Sequence, residues 1–176
     1  YRPSFLFYLV CTPCTPMFSI AKKKDDIIAR LNVLADSYAS WVQEKLVHDS
    51  KMDDAKFKSE IGNAIVGKCE EALSRIRAGI QLLVEDDIAF DAFCFMNRSM
   101  ILQRNITNFS KKHGAGIECA FRDFVDPRDP ANNFGWRPFQ IAFILMNLNA
   151  VVNPEHEDRE VVDLLYFPTG GGKTEA

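Results

Sequence analysis

The C-terminal end of the chain carries the sequence feature that most restricts its possible folds. The run Val161-Val162-Asp163-Leu164-Leu165-Tyr166-Phe167 is β-branched and apolar on both faces, which is typical of a central strand in a covered parallel sheet. Pro168-Thr169-Gly170-Gly171-Gly172-Lys173-Thr174 follows it directly. Glycine permits positive φ and lets backbone N–H groups approach a phosphate without a Cβ in the way. The combination predicts a strand that leads into a phosphate-binding loop.

Two side chains of this loop have a predicted chemical role. Lys173 is expected to contact the β- and γ-phosphates of a nucleotide, and the Thr174 hydroxyl is expected to bind Mg²⁺. The strict eight-residue pattern of such loops begins with glycine, and this chain has Phe167 at that position. The alternative is a flexible glycine tail that precedes Lys-Thr by chance. The strand-like run immediately before the glycines argues against that alternative.

Two motifs carry a resemblance to a known superfamily. The segment from Phe167 to Ala176 resembles motif I of superfamily 2 helicases, which tolerate a non-glycine residue at the first position. Upstream, Trp136-Arg137-Pro138-Phe139-Gln140 resembles the glutamine motif of the same superfamily, which reads adenine. A carboxamide offers one donor and one acceptor, and these match N7 and the N6 amine of adenine.

The resemblance implies a set of site residues and cofactors. It assigns adenine reading to Gln140, with Arg137 and either Trp136 or Phe134 supporting or stacking on the ring. The implied cofactors are ATP and Mg²⁺, with Lys173 and Thr174 as the catalytic residues. The implied nucleotide-binding residues are Arg137, Gln140, Thr169, Gly170, Gly171, Gly172, Lys173 and Thr174.

A narrower resemblance rests on three stretches of residues 90–176. Residues 92–100 with Gln103, the glutamine motif, and residues 165–176 are similar to the DrmA family, the helicase subunits of the DISARM anti-phage systems. This implies an ATP-driven DNA helicase or translocase that acts against foreign DNA. Its implied partners are DNA, single-stranded or with a single-stranded overhang, and a subunit of the DrmB type, with a DNA methyltransferase in the wider system.

The remainder of the chain is predicted to be mainly helical. Apolar residues at spacings of three and four predict helices over about residues 22–47, 54–84 and 86–109, and a shorter one over 137–148. The second contains Gly67, where a break is allowed because glycine costs up to ~1 kcal/mol relative to alanine. The third is apolar on several sides and is expected to lie centrally in a bundle. Its expected core residues are Phe90, Phe93, Met96 and Met100.

The expected fold is therefore an α-helical accessory region followed by the start of a RecA-like α/β P-loop domain with a parallel sheet. The predicted divisions are an extended proline-containing segment over residues 1–20, a helical accessory domain over 21–125 and the start of the helicase lobe over 126–176. Residues 111–135 are rich in turn and loop signals, and they mark the boundary between the helical accessory domain and the start of the helicase lobe.

Charge and cysteine content restrict the environment and the partners. A net charge of −3 gives no global sign of nucleic-acid binding, so DNA contacts would have to come from local patches. Solvated surface charge is the favoured interpretation of any single basic candidate. Those candidates are Lys22, Lys23, Lys24, Arg98, Arg104, Lys111 and Lys112.

Five scattered cysteines favour a reducing compartment, and hence the cytoplasm. Cys11 and Cys14 could form half of a zinc site, but no second pair stands at finger spacing, so a turn with two free thiols is favoured. The apolar residues 5–10 are far too few to span a membrane, which needs about 20.

The chain is expected to be a piece of a longer protein. It opens on Tyr1 and ends at Ala176, and the helix whose N-terminus would face the bound phosphates is not in the sequence. The acidic Walker B residues, the arginine finger and the second lobe of the superfamily are also missing. The chain alone is therefore not expected to hydrolyse ATP.

Two other interpretations stay open. One is a different phosphate-loop enzyme, such as a kinase or a transporter ATPase, against which Phe167 and Gln140 argue. The other is a helical docking or scaffold module of a multi-subunit complex, in which the phosphate loop is degenerate or unused.

Overall fold

The computed structural model describes residues 17–49, 55–124 and 136–163. Within them the chain forms four α-helices: α1 (Met17–Asp49), α2 (Ala55–Glu85), α3 (Asp87–Gly114) and α4 (Pro138–Val152). Two single-turn 3₁₀ helices, Phe121–Phe124 and Glu157–Glu160, follow α3 and α4 respectively. No helix in the described ranges is long and apolar enough to cross a lipid bilayer.

The expected start of a RecA-like α/β domain with a parallel sheet is wrong for the structure described. Residues 17–49, 55–124 and 136–163 contain helices and connections but no β-strand. The first residue of the predicted strand, Val161, has an extended backbone, but Val161 and Val162 are 46% and 93% exposed. A central strand is covered on both faces, whereas these side chains are not covered. A β-branched pattern favours an extended backbone, but it does not show whether neighbouring strands are present to form a sheet.

The helical predictions are confirmed, and α1, α3 and α4 are longer than expected. The first three predicted helices correspond to α1, α2 and α3, and the short fourth one extends to Val152 as α4. α2 continues through Gly67 without a break. Residues 17–20, expected to be extended, belong to α1, and residues 1–16 lie outside the described residues.

The core is formed where α1, α3 and α4 surround α2. α2 contacts each of the other three helices. Four core side chains are completely buried: Leu31 of α1, Leu83 of α2, and Ile141 and Leu145 of α4. Burying a leucine or isoleucine side chain stabilises the fold by about 1.5–3 kcal/mol. The helix that carries Gln140 thus shares one core with the other three, while the predicted domain boundary at residue 126 stays a prediction because residues 125–135 are not described.

Gly79 lies at a close approach of α2 and α4. A Cβ placed on Gly79 would overlap the backbone carbonyl of Leu145 and lie 2.9 Å from its carbon atom. Glycine at this position therefore brings the two helix backbones together.

The expected central position of α3 is only partly correct. Phe90 and Phe93 are buried in the core, and Met96 packs against it. However, Ile88 and Phe95, seven residues apart, are 83% and 72% exposed on another side of the helix. One side of α3 is therefore buried against the other helices, while another side with large apolar residues is exposed. This places α3 at the edge of the described helices.

A single residue, Asp86, connects α2 to α3. Its carboxylate accepts hydrogen bonds from the backbone N–H groups of Ile88 and Ala89, at 2.8 and 3.0 Å. These bonds satisfy two of the N–H groups that the start of a helix leaves without partners. The corner between the two helices is therefore fixed by the cap at its turning point.

Candidate nucleotide-binding site

The predicted adenine-reading residues lie at the first turn of α4. Arg137 is the N-cap residue, with φ −69° and ψ 146°, and Pro138 occupies the first helical position. The Oε1 atom of Gln140 accepts a hydrogen bond from the backbone N–H of Arg137 at 2.8 Å. Glutamine at the third helical position and proline at the first are both favoured helix-start residues. The motif thus encodes the beginning of a helix.

The structure places Gln140 in a covered environment. The residue is only 6% exposed, and its Oε1 already accepts the Arg137 hydrogen bond. A carbonyl oxygen carries two lone pairs, and the carboxamide also carries N–H donors, so the group suits adenine chemically. Adenine would nevertheless have to displace the neighbours that cover Gln140. Its role in nucleotide binding, and that of Arg137, whose side chain is exposed, stay predictions.

Trp136 is held against α3. Its Nε1–H donates a 2.6 Å hydrogen bond to Oδ1 of Asn97, and the Asn97 side chain in turn donates to the backbone carbonyl of Phe93 at 2.8 Å. Asn97 is 3% exposed, so both of its polar ends are satisfied inside the protein. The tryptophan considered as a stacking partner for adenine therefore joins the start of α4 to α3. Phe134, the other aromatic candidate, lies outside the described residues.

The phosphate-loop candidates Thr169, Gly170, Gly171, Gly172, Lys173 and Thr174 also lie outside the described residues. Their proposed contacts with ATP and Mg²⁺ therefore stay predictions.

The segment that leads toward this loop is described as far as Asp163. Two carboxylates of the segment converge on Arg75 of α2. The Arg75 Nε donates to Asp158 at 2.9 Å, while its two terminal nitrogens donate to the two oxygens of Asp163, each at 2.9 Å. The hydrogen bonds to Asp163 are the main cause that raises the pKa of Arg75 above its ordinary value. The guanidinium is thus a permanent cation with two anionic partners.

Other contacts fix the turn between α4 and Asp163. His156 Nδ1 accepts the backbone N–H of Asp158 at 3.2 Å and caps the 3₁₀ helix Glu157–Glu160. Arg159 donates to the backbone carbonyl of Ala150, in the last turn of α4, at 2.8 Å. His156 is therefore a capping group of this turn.

The predicted DNA-contacting residues with described side chains belong to α1 and α3. The Lys24 Nζ donates to the Val84 carbonyl and to Asp87, at 3.0 and 2.6 Å, which ties α1 to the corner between α2 and α3. Lys112 lies over the ring of Phe124, 5.0 Å from its centre. Arg98, Arg104 and Lys111 are exposed along α3. The side chains of Lys22 and Lys23 are not described.

No group of three or more potential metal ligands comes together among the described residues. Cys11 and Cys14 lie outside them, so the favoured interpretation of that pair as free thiols stays a prediction.

The cluster of Arg75, Asp158 and Asp163 was not predicted from the sequence. A local signal was present for Arg75, since it shares one face of α2 with Ala72 and Gly79. Small residues on that face mark the side where α4 approaches. The two aspartates lie 83 and 88 residues away in the sequence, so no local pattern links them to the arginine.

No family model matches the chain. The chain is similar to DISARM protein DrmA of Bacillus paralicheniformis, with 40% identity over 162 residues. The alignment covers 90% of this chain but 13% of that protein, so the chain spans about an eighth of the length of the curated relative it matches. Over nearly all of its length, the chain is therefore similar to one portion of DrmA.

Proposed function

We propose that this chain is a portion of an ATP-dependent DNA helicase or translocase that acts in defence against phage DNA. The observation that carries the proposal is the 40% identity to DISARM protein DrmA across 90% of the chain. That similarity supports a role in anti-phage defence. The phosphate-loop sequence that ends in Lys173 and Thr174 supports the use of ATP.

In this proposal the chain contributes to nucleotide binding. Lys173 neutralises the β- and γ-phosphates of ATP, Thr174 contributes a hydroxyl to Mg²⁺, and the three preceding glycines allow backbone N–H groups to approach the phosphates. Gln140 supplies the carboxamide for adenine. Bound ATP and Mg²⁺ supply the phosphoryl group to be transferred and the charge that stabilises its departure.

The proposed partners are DNA and a second subunit of the DrmB type. DNA would be gripped mainly through its phosphates, so its binding would weaken as salt rises. Arg98 and Lys111, which are exposed on α3, are the described basic candidates for this contact.

The direct test is phosphate release by the full-length protein, with and without single-stranded DNA. We expect DNA to stimulate release and Lys173→Ala to abolish it, because the variant loses the charge that meets the transferred phosphate. Lys68→Ala is the matched control, since Lys68 is 81% exposed on α2 and pairs with nearby Glu71. Phosphate release that is equal in the wild type and in Lys173→Ala would contradict the proposal.

A second candidate function is a helical docking module whose phosphate loop is unused. The exposed apolar residues Ile88, Phe95 and Leu102 on α3 favour it, because large apolar side chains in open water are typical of interaction surfaces. The same measurement separates the two candidates: a wild type that releases no phosphate, with DNA and the partner subunit present, would favour the docking module.

A further inference from the structure

The segment between α4 and the phosphate-loop sequence is held mainly by polar contacts. Val161 and Val162 are 46% and 93% exposed, so they bury little apolar surface. Asp158 and Asp163 have side chains that are only 16% and 23% exposed, and both point to Arg75. The guanidinium of Arg75 on α2 therefore helps to hold this segment, together with the hydrogen bonds of His156 and Arg159 described above.

Arginine is the side chain that suits this task. Its planar guanidinium can bond both oxygens of one carboxylate and still present Nε to a second. Arg75 does so with three 2.9 Å hydrogen bonds, and its side chain is 13% exposed. Without it, two partly buried carboxylates would face each other without a counter-charge, which is unfavourable.

Asp163 is also close in sequence to the proposed phosphate contacts. It stands six positions before Thr169, and six residues span at most about 22 Å even when fully extended. Three N–H donors of the Arg75 guanidinium are already bonded to carboxylates. The observed role of Arg75 is therefore to hold Asp158 and Asp163 against α2.

We propose that Arg75 is a positioning residue, which anchors Asp158 and Asp163 to α2 and thereby sets where the phosphate loop begins. This inference rests on the proposed function, because it gives the anchored segment a task in nucleotide binding. In this proposal, the ion pairs of Arg75 with the two aspartates allow α2 to influence the binding of ATP.

The chain contains a matched control for this contact. Arg77 lies two residues further along α2 and pairs with Asp36 of α1 at 3.2 Å. That pair is 55% and 71% exposed, and exposed ion pairs contribute little. Arg77→Gln and Asp36→Asn therefore repeat the same chemical changes away from the segment.

The experiment compares Arg75→Gln, Asp163→Asn and the double variant with these controls in the full-length protein. Hydrogen exchange of residues 153–168, without nucleotide, reports whether the segment is held. We expect exchange there to be faster by about tenfold or more in both single variants, and unchanged in the controls. The KM for ATP is expected to rise by about tenfold or more, with a smaller change in kcat, because the loop is misplaced before chemistry begins.

The double variant tests whether the two residues act as a pair. If they do, Arg75→Gln combined with Asp163→Asn raises KM no further than the more harmful single variant. Asp163→Asn removes a charge but keeps the size of the side chain, so it serves if Arg75→Gln does not fold. Its circular dichroism spectrum should match that of the wild type.

Three outcomes would overturn the inference: unchanged exchange over residues 153–168, faster exchange with an unchanged KM, or additive effects in the double variant. A wild-type protein that neither binds nor hydrolyses ATP would instead overturn the proposed function. That failure is distinguishable because it appears without any substitution.

Discussion

The carboxamide of Gln140 has two properties that single substitutions can separate. Its oxygen caps the first turn of α4 through the backbone N–H of Arg137, and its amide nitrogen is the donor that the proposed recognition of adenine would use. Glutamate keeps an acceptor oxygen at this helix start, where the helix dipole favours negative charge. Alanine removes both the acceptor and the donor.

We expect Gln140→Ala to lower the free energy of unfolding by about 1 kcal/mol, because the Arg137 N–H loses its acceptor. Gln140→Glu should unfold at a higher urea concentration than Gln140→Ala. Both variants should lose the preference for ATP over GTP in phosphate release. A Gln140→Glu variant that still prefers ATP would show that Gln140 acts only as a capping residue.

The glutamine motif also shows what residue-level prediction can and cannot reach. Pro138 and Gln140 occupy the first and third helical positions, so the start of the helix could be predicted from the sequence. The hydrogen bond from Trp136 to Asn97 was not, because the two residues are 39 positions apart and belong to different elements. Polar contacts between distant elements depend on packing that no local pattern contains.

At the scale of elements, α2 contains two glycines with opposite surroundings. Gly67 has no atom near the position of a Cβ, whereas a Cβ on Gly79 would overlap the backbone of Leu145. Both residues lie inside the same helix. Substitution of Gly67 therefore measures the conformational cost of glycine in a helix. Substitution of Gly79 measures in addition the need for a small residue where two helices cross closely.

We expect Gly79→Ala to destabilise the chain by about 1–3 kcal/mol or more, because α4 must move away from α2. Gly67→Ala should stabilise it by up to ~1 kcal/mol, because alanine is the better helix former and meets no neighbour there. Urea unfolding followed by circular dichroism measures both changes. Equal stabilisation by the two substitutions would contradict the close crossing.

Elements were predictable to different degrees. The helices were recognisable because an amphipathic repeat is written within each segment. The predicted sheet was wrong in the described structure because a β-branched run specifies an extended backbone, while a sheet also needs neighbouring strands. The central position of α3 was wrong in part because apolar residues on several sides, such as Phe95, do not reveal which sides find a neighbour.

At the scale of the whole molecule, Tyr38 connects the stability of the helices to pH. It packs against the core from α1, and burial, with the Cys69 thiol of α2 nearby, raises its pKa to about 12 from an ordinary value of 10.0. Tyr38 also stacks on Trp41, with ring centres 5.9 Å apart. The folded chain therefore holds the phenolic proton more tightly than the unfolded chain does.

The stability that this difference contributes is fully present below pH 10 and is lost as pH rises from about 10 to about 12. In that interval the unfolded chain releases the proton while the folded chain keeps it, which favours unfolding. Tyr38→Phe has no such proton, so its stability relative to the wild type should improve across the interval. Urea unfolding of both proteins across the interval from about pH 9 to about pH 12 checks this. A constant difference between the two proteins would contradict it.

The crossing of α2 and α4 has a consequence for how the molecule is assembled. Gly79 and Leu145 meet although they are 66 positions apart in the sequence. A ribosome completes α1, α2 and α3 before α4 exists, so the side of α2 around Gly79 and Ile80 faces water, or a chaperone, during that delay. Closing so long a loop is slower than forming a helix. The arrival of α4, and not the formation of any helix, therefore sets the pace at which the core closes.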